Sequence, residues 1–374
     1  MSRAEPIDCR RFTGYKPCAP GKLCEGCAER EPRGTRVLVV NLDALGAVIQ
    51  ATALLPAMRR AWPDAEISWV TLAGNIPALE GNPHLARVMP YDFETVSILG
   101  ALRFDVAVNL DKTGRSAALL ELVRAPEKRG FGLSGAGAIR PANEGARELY
   151  RLGLDDEFKF RGNAKPGTRL LTEAAGLEWK RDPYVLALAD RELEFVRAYR
   201  AAHGLEKHYA VGFNTGASGV LPHKKLTEEQ WVELVRRVGG EVESARVLLL
   251  GGRAETERNA RIAEAAGVPV IQTPTTEGLR RGIGYVAACD AVVTGDTSAM
   301  HMAIALERWT VAWFGPTCAQ EIDLYDLGVK VVSGEPCAPC WKRVCDHDAA
   351  CLKSAALDAI VEGVRAGRGK ASSL

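Results

Sequence analysis

One run constrains the fold more than any other: residues 291–317, AVVTGDTSAMHMAIALERWTVAWFGPT, which spell strand, turn, helix and strand with no linker between them. Residues 291–294 are short, apolar and rich in β-branched types, as expected of a strand buried on both faces of a parallel sheet, and Gly295 ends it. Asp296, Thr297 and Ser298 are helix-capping types ahead of a helix over 299–306. Residues 310–314 give the next buried strand, and Gly315-Pro316-Thr317 turns out of it on the same edge. Such a unit puts its polar turn beyond the carboxyl ends of the strands, where open α/β sheets bind ligands. Two readings of the turn stand: the cap of an ordinary helix, or a site where amides and hydroxyls meet an anion. His301, about one helical turn below, is of a type that packs on apolar helices and also serves ligand sites.

The same alternation fills the rest of the chain. Strands are predicted at 36–41, 66–72, 87–91 and 105–110, with helices at 47–60, 93–102 and 116–124. A second series places strands at 209–214, 246–251, 268–272 and 329–332 around the opening run, with helices at 227–238 and 278–289. Residues 162–182 read as irregular and, with a helix at 191–203, mark the connection between two doubly wound α/β units. The length of 374 residues exceeds what one core serves, and 47% hydrophobic with 25% charged residues is ordinary globular composition. A net charge of +1 argues against nucleic acid as the principal partner. No apolar run approaches the roughly 18 residues of a membrane span, and MSRAEPIDCRR lacks the apolar core of a signal peptide. The expectation is a cytoplasmic protein, with peripheral contact at the inner membrane left open.

Several side chains are candidates for chemistry. The turn Thr215-Gly216-Ala217-Ser218-Gly219 is small and polar, with amides free to meet an anion, and His223, Lys224 and Lys225 follow it. Lys224 reads as a phosphate contact or as part of a surface basic cluster. Glu255 and Glu257 read as ribose ligands or as solvated helix-start carboxylates. Asp43 and Asp111 fall at carboxyl ends of predicted strands, and for Asp43 a turn carboxylate and a general base are the two readings. The absence of G-x-G-x-x-G argues against a dinucleotide site. Residues 130–137, GFGLSGAG, lack the lysine of a P-loop and read as a flexible rim loop.

Eight of the ten cysteines fall in two tetrads, Cys9, Cys18, Cys24 and Cys27, and Cys337, Cys340, Cys345 and Cys351. Four thiolates suit Zn or an iron centre, and a reducing compartment disfavours disulfides, which with inert thiols are the alternatives. Residues 1–35 have no helical or strand period, so a metal would supply the folding energy that a core cannot. Their basic residues Arg10, Arg11, Lys16 and Lys22 read most simply as a solvated face, with contact to an acceptor phosphate or a docking partner as the lesser reading. Cys289 and Cys318 stand apart and read as buried packing.

The opening run, as GDTSAMHMAIAL followed by VAWFGPT, resembles the G-D-T-G-x-M-H-x-A-A-A-L…FGPT signature of the family 9 glycosyltransferases, the bacterial heptosyltransferases of lipopolysaccharide synthesis. NTGASGVLPHKKLTEEQW resembles that family's P-G-A…K-R-W-P-x-E-x-W segment. VVNLDALGAVIQATALLPAM resembles its R-L-x-A-L-G-D-V-x-x-T-x-P segment. PCAPCWKRVCDHDAACLK is similar to a C-S-P-C-x-K-R-x-C…C tail in part of the family, including autotransporter heptosyltransferases whose related cysteine cluster binds iron.

The resemblance implies a GT-B fold: two Rossmann-like domains facing a cleft, acceptor on the first and nucleotide-sugar donor on the second. The matching ranges are a cysteine-rich extension at 1–35, an acceptor-side domain at 36–185, a donor domain at 186–335, and a tail with a final helix at 336–374. That helix, over 354–365, is expected to pack back across the domain junction. The donor implied is ADP-heptose-like, held by Thr215, Gly216, Ala217, Lys224, Asp296, Thr297, Ser298 and His301, with no divalent metal needed for transfer. The acceptor is a lipopolysaccharide core, another glycan, a lipid-linked sugar or a protein, and transfer proceeds with inversion. Two departures matter. Ser298 stands where the family has glycine, and Ala47 where it has the aspartate taken as general base. The base then falls to Asp43, in the same turn, or to Asp111; otherwise the chain is a sugar-nucleotide or glycan-binding relative that has lost catalysis. A redox or metal sensor on this fold is a third reading, resting on the tetrads alone.

Overall fold

In the computed structural model, the described residues are 9–370, apart from 16, 19–22, 25 and 218. Lys16, Lys22 and Ser218 therefore lie outside the described residues. Two six-stranded sheets carry the fold. The first holds β1 (Arg36–Val40), β2 (Glu66–Thr71), β3 (Leu85–Pro90), β4 (Val106–Asn109), β5 (Glu127–Leu133) and β6 (Ile139–Pro141), in the order β3-β2-β1-β4-β5-β6. The second holds β7 (Tyr209–Asn214), β8 (Ala245–Leu250), β9 (Val270–Gln272), β10 (Ala291–Gly295), β11 (Trp309–Phe314) and β12 (Gly328–Val332), in the order β12-β11-β10-β7-β8-β9. Every pairing is parallel except the β5–β6 hairpin. The central strands are buried along their length, as continuous apolar runs such as VLVV and WTVAWF require when helices cover both faces.

The strand order reverses between β1 and β4 in the first sheet and between β7 and β10 in the second. These are the switch points at which doubly wound sheets open a crevice beyond their strand ends. The helices that follow β1 and β10, Leu45–Ala51 and Ser298–Ala305, pack on each other across the junction. One buried apolar cluster joins Ile49, Ala53 and Tyr184 to Met300, Ile304 and Phe314, so the two sheets are held face to face around their turns.

Four local readings are corrected. The helix predicted over 47–60 is two helices, Leu45–Ala51 and Leu54–Ala61. Pro56 explains the break: it has no amide to bond the Thr52 carbonyl and its ring clashes there. Thr52 then turns its hydroxyl onto the Ile49 carbonyl at 2.5 Å. The glycine-rich 130–137 is not all loop, because residues 130–133 belong to β5 and only 134–138 turn, closed by the Gly137 amide donating to the Ser134 carbonyl at 2.9 Å. The irregular 162–182 contains a helix, Gly167–Ala174. The final helix, Leu357–Ala366, packs on the second sheet instead of crossing the junction: Ile360, Val361 and Val364 join its core, and Trp309 Nε1 donates to the Gly363 carbonyl at 2.8 Å. No helix among the described residues is long and apolar enough to cross a membrane.

Candidate active site

At the second switch point the turns after β7 and β10 meet. Asn214 Nδ2 donates to Thr297 Oγ1 at 3.1 Å, to the Gly216 carbonyl at 3.1 Å and to Thr294 Oγ1 at 3.3 Å. Thr297 occupies the N-cap position of helix Ser298–Ala305, but its hydroxyl is turned to Asn214 and Thr294 and makes no capping bond. The first-turn amides of that helix therefore have no side-chain acceptor, and the positive end of its dipole faces the cleft.

Lys224 lies beside this helix start. Its Nζ donates to the Asp296 carbonyl at 3.0 Å and stands 3.1 Å from Asp296 Oδ2. Its own carbonyl presses on β10: a Cβ on Gly295 would sit 2.2 Å from Lys224 O, so only glycine lets this segment approach. Both side chains of the ion pair are largely shielded, at 15% and 16% exposure, so Lys224 is fixed beside the helix start, where the Met300 amide bonds the Thr297 carbonyl at 3.1 Å and the Ser298 and Ala299 amides precede it. Thr215 is buried and its hydroxyl donates inward to Asn259 Oδ1 at 2.6 Å, leaving only its main chain toward the cleft. Gly216 lies against Glu255, whose carboxylate accepts from the Gly252 amide at 2.9 Å, and Ala217 is partly buried alongside.

His301 is buried and stacked on Tyr184, with ring centroids 5.9 Å apart and Nδ1 3.4 Å from the tyrosine hydroxyl. Burial, with the nearby Lys224 charge adding, holds its pKa down to about 4, so the ring is neutral near pH 7. Its other edge faces the first domain: a Cβ on Gly46 would stand 2.8 Å from His301 Cδ2. The histidine is thus wedged between the two turns.

The turn after β1 is tied to the end of β4. Buried Asp111 accepts from Asn41 Nδ2 at 2.6 Å and from the Leu42 amide. Burial pushes its pKa up to about 6, against the lowering effect of those two donors. Asp43 is partly exposed and ion-paired with Arg115. Ala47 lies on the first turn of helix Leu45–Ala51 and presents no polar group.

Sequence reasoning missed the wall that closes the cleft from the tail side. Trp341, in the C-x-x-C segment, stands with its ring 5.4 Å from Lys224 Nζ and 3.8 Å from Lys159 Nζ. The Cys340 and Trp341 amides both donate to the Pro316 carbonyl, at 3.1 and 2.9 Å, so the tail docks on the turn after β11. Glu321 lies nearby; burial raises its pKa, with Asp296 adding to the rise while Lys159 and Lys112 oppose it. An aromatic directly after a paired cysteine motif was the available signal for Trp341; nothing in the sequence marked Glu321 or Arg115.

The cysteines are all free thiols. Cys351 is buried, and its pKa is pushed up to about 11 by that burial and by Cys337, Cys340 and Cys345 close by. The His347 and Ala349 amides point at Cys345 Sγ, at 3.4 and 3.2 Å. Cys9, Cys18, Cys24 and Cys27 line one small cavity of about 20 Å³. Among the described residues, however, no group of three or more His, Cys, Asp or Glu side chains is arranged to hold a metal ion. Cys289 and Cys318 are buried singly, as expected.

Residues 95–350 match the profile of glycosyltransferase family 9 (heptosyltransferase). The chain belongs to this family. It is a glycosyltransferase of the heptosyltransferase group, built on the GT-B-like pair of α/β sheets. Lipopolysaccharide heptosyltransferase 1 of Pseudomonas aeruginosa is 28% identical over 332 residues, which cover 83% of this chain and 88% of that protein. Among solved structures, a family 9 glycosyl transferase from Veillonella parvula superposes with a TM-score of 0.72 at 18% identity, covering 89% of this chain and 97% of that one. The E. coli heptosyltransferase WaaC with ADP superposes with a TM-score of 0.57 at 19% identity, covering 89% of this chain and 100% of that one. At these identities the structural matches speak for the shared fold.

Proposed function

We propose that this family 9 transferase moves a heptosyl group, with inversion, from an ADP-heptose-like donor to a hydroxyl of a glycan, lipid-linked or protein acceptor. One observation carries the reading: the uncapped start of helix Ser298–Ala305 lies beside the fixed Lys224 cation, at the switch point of the second sheet. That pairing suits a diphosphate, and ADP is the ligand in the solved WaaC structure. The donor's diphosphate rests on the first-turn amides and Lys224, with Asp296, Thr297, Ser298 and His301 around it and the Thr215-Gly216-Ala217 main chain on the other side. The acceptor oxygen bonds to the anomeric carbon on the face opposite the diphosphate. The bond from that carbon to the phosphate oxygen breaks, and the nucleoside diphosphate leaves with the electron pair. Lys224 and the amides stabilise the charge that develops there, so the reaction needs no divalent ion. His301, neutral, shapes the site and takes no proton.

The acceptor proton goes to Asp43, with Asp111 as the deeper alternative. Asp43 lies in the turn of the first domain nearest Ala47 and is partly exposed; its Arg115 partner orients the carboxylate. A second reading draws on the same pair. With Ala47 apolar and Asp43 engaged by Arg115, the chain also suits a sugar-nucleotide-binding relative with little turnover. Four thiolates suit Zn or Fe in a structural role, but Cys337, Cys340, Cys345 and Cys351, or Cys9, Cys18, Cys24 and Cys27, would have to regroup to hold an ion, because the described residues form no cluster of three or more ligands. A cytoplasmic site of action is part of the same proposal, with peripheral contact at the inner membrane left open.

Calorimetry with ADP tests the donor reading. Binding that Lys224→Ala leaves at full strength takes the lysine out of the site, and no ADP binding at all removes the proposal.

A further inference from the structure

The amino-terminal extension has no part in the transfer chemistry, yet it docks on the first sheet at the edge opposite the cleft. There, strand register brings Arg36 beside Glu66 and Ser68 beside Arg87, and the alternation of strands turns Arg36, Glu66 and Ser68 to one face near the amino ends of β1 and β2. A cavity of about 550 Å³ opens over this face. Among the described residues, six arginines line it, Arg33, Arg36, Arg59 and Arg87 from the body of the domain and Arg10 and Arg11 from the extension, with Asp64 and Glu66 as the lining carboxylates.

These guanidinium groups are anchored more than they are neutralised. Arg59 donates to the Ala65 and His84 carbonyls, both at 2.6 Å, bonds that position it without cancelling its charge. Arg36 lies over the Phe104 ring at 5.1 Å. Arg10 and Arg11 share the single carboxylate of Glu31. Arg33 bonds Glu66 at 3.3 Å and reaches the Phe12 carbonyl at 3.4 Å, which ties the extension to the cavity rim. The positive charge is therefore gathered around a concavity and built from two parts of the chain, with Arg36 and Arg59 half-buried and Arg10, Arg11, Arg33 and Arg87 exposed. A solvated face would spread the same charges outward. Burial, then Arg33 and also Arg87, depresses the Arg36 pKa, while the Glu66 and Asp105 carboxylates oppose the fall.

We infer that this cavity is a second binding site, for a phosphate-bearing ligand, and that the extension exists to complete its wall. Planar guanidinium forks match phosphate oxygens in pairs, and a partly shielded recess strengthens each bond. The volume exceeds that of a lone phosphate and falls in the range of small-ligand pockets, so the phosphate carries a sugar or a glycerol-type headgroup. The site lies at the amino ends of the strands, whereas the transfer site lies at the carboxyl ends, and it stands or falls independently of the proposed reaction.

The full chain is titrated with glucose 6-phosphate by calorimetry, and with phosphatidylcholine vesicles containing phosphatidylglycerol by flotation. Arg11→Glu and Arg87→Glu reverse exposed charges at the cavity and leave the buried core untouched, and Lys207→Glu makes the same change on an exposed position of the second domain. Binding of either probe that both cavity variants weaken tenfold or more, that Lys207→Glu leaves intact, and that is accompanied by unchanged ADP affinity supports the site. The probe that binds tells a soluble sugar phosphate from a lipid headgroup. Failure of both probes to bind overturns it, as does binding that the cavity variants leave unchanged or that Lys207→Glu weakens equally. Loss of ADP binding with phosphate binding retained would instead strike the transfer reading alone.

Discussion

The turn after β1 and the turn after β10 occupy equivalent places, each a strand end at a switch point running into a helix, yet their polar groups are spent differently. After β1 they are consumed internally. Asp111 takes hydrogen bonds from Asn41 and Leu42, Asn75 Nδ2 donates to the Leu42 carbonyl at 2.8 Å, and Arg115 engages Asp43. After β10 the inward bonds run through Asn214, Thr294 and Thr297, and they leave the helix start uncapped beside Lys224. Neither helix start has a side-chain cap, so the turns differ in the charge beside it: after β1 the Asp43 carboxylate pairs with Arg115, and after β10 the Lys224 cation stands at the helix start.

The largest effect expected from this difference lies at the open turn. Lys224→Ala removes the fixed cation, and turnover should fall ~10²–10³-fold, as when one preorganised donor to a developing anion is lost. The equivalent loss of a cation at the closed turn, Arg115→Ala, should leave ADP affinity unchanged. Nucleoside diphosphate release and calorimetry check both. Equal losses of ADP affinity in the two variants would erase the distinction.

The turns also differ in what their buried titrating group does to stability. Asp111 has its pKa raised by burial to about 6, so between about pH 4 and 6 the folded chain keeps a proton that the unfolded chain has lost, and stability falls as pH rises through that window. His301 is held down to about 4, so between about pH 4 and 6.5 the unfolded chain binds the extra proton, and stability rises with pH. Each amounts to about 3 kcal/mol, and the two oppose each other in the wild type. Denaturant titrations across this range should show Asp111→Asn gaining an upward slope with pH and His301→Gln gaining a downward one. Parallel profiles in all three proteins would count against both pKa displacements.

A third effect bears on the closed turn alone. Asp43→Asn should lower turnover by ~10²-fold while ADP affinity holds, the pattern of a lost general base. Unchanged turnover moves the role to Asp111 or to another group. Absence of turnover in the wild type, with activity gained in Ala47→Asp, favours the binding relative.

The comparison also marks what could be read from residues in order. The run 291–317 announced strand, turn, helix and strand because both strands are buried on both faces and the apolar pattern leaves no other arrangement. Lys224 and Asp296 were each visible as polar residues at turns; their ion pair, between residues far apart in sequence, was not. The roles within the open turn were also hidden. Thr297 has the composition of a cap and occupies the cap position, but Asn214 takes its hydroxyl, and nothing local announces that competition. The closed turn was harder still, since Arg115 reaches Asp43 from another helix start. β5 escaped notice because GFGL has no alternation when the neighbouring strand approaches through glycine. Trp341 escaped because its partners, Lys159 and Lys224, come from different domains.

The smallest expected effect concerns whether the two turns form one site at all. Gly46 opens the helix after β1, and a Cβ there would stand 2.8 Å from His301 Cδ2 and 3.5 Å from Ser298 Cα. The imidazole cannot swing away freely, because it is buried and stacked on Tyr184. Gly46→Ala must then separate the two helices by a few tenths of an ångström or tilt the ring, an overpacking that costs about 1–3 kcal/mol. Some of that cost falls on the donor side, since Ser298 carries a first-turn amide, so ADP affinity should drop by no more than about tenfold together with a lower Tm. Alanine at Gly46 would otherwise be favoured, because glycine within a helix costs roughly 0.5–1 kcal/mol relative to it. A variant that is more stable and binds ADP as well as the wild type would mean that the turns stand apart in solution, and the closed turn would then have no hold on the geometry of the open one.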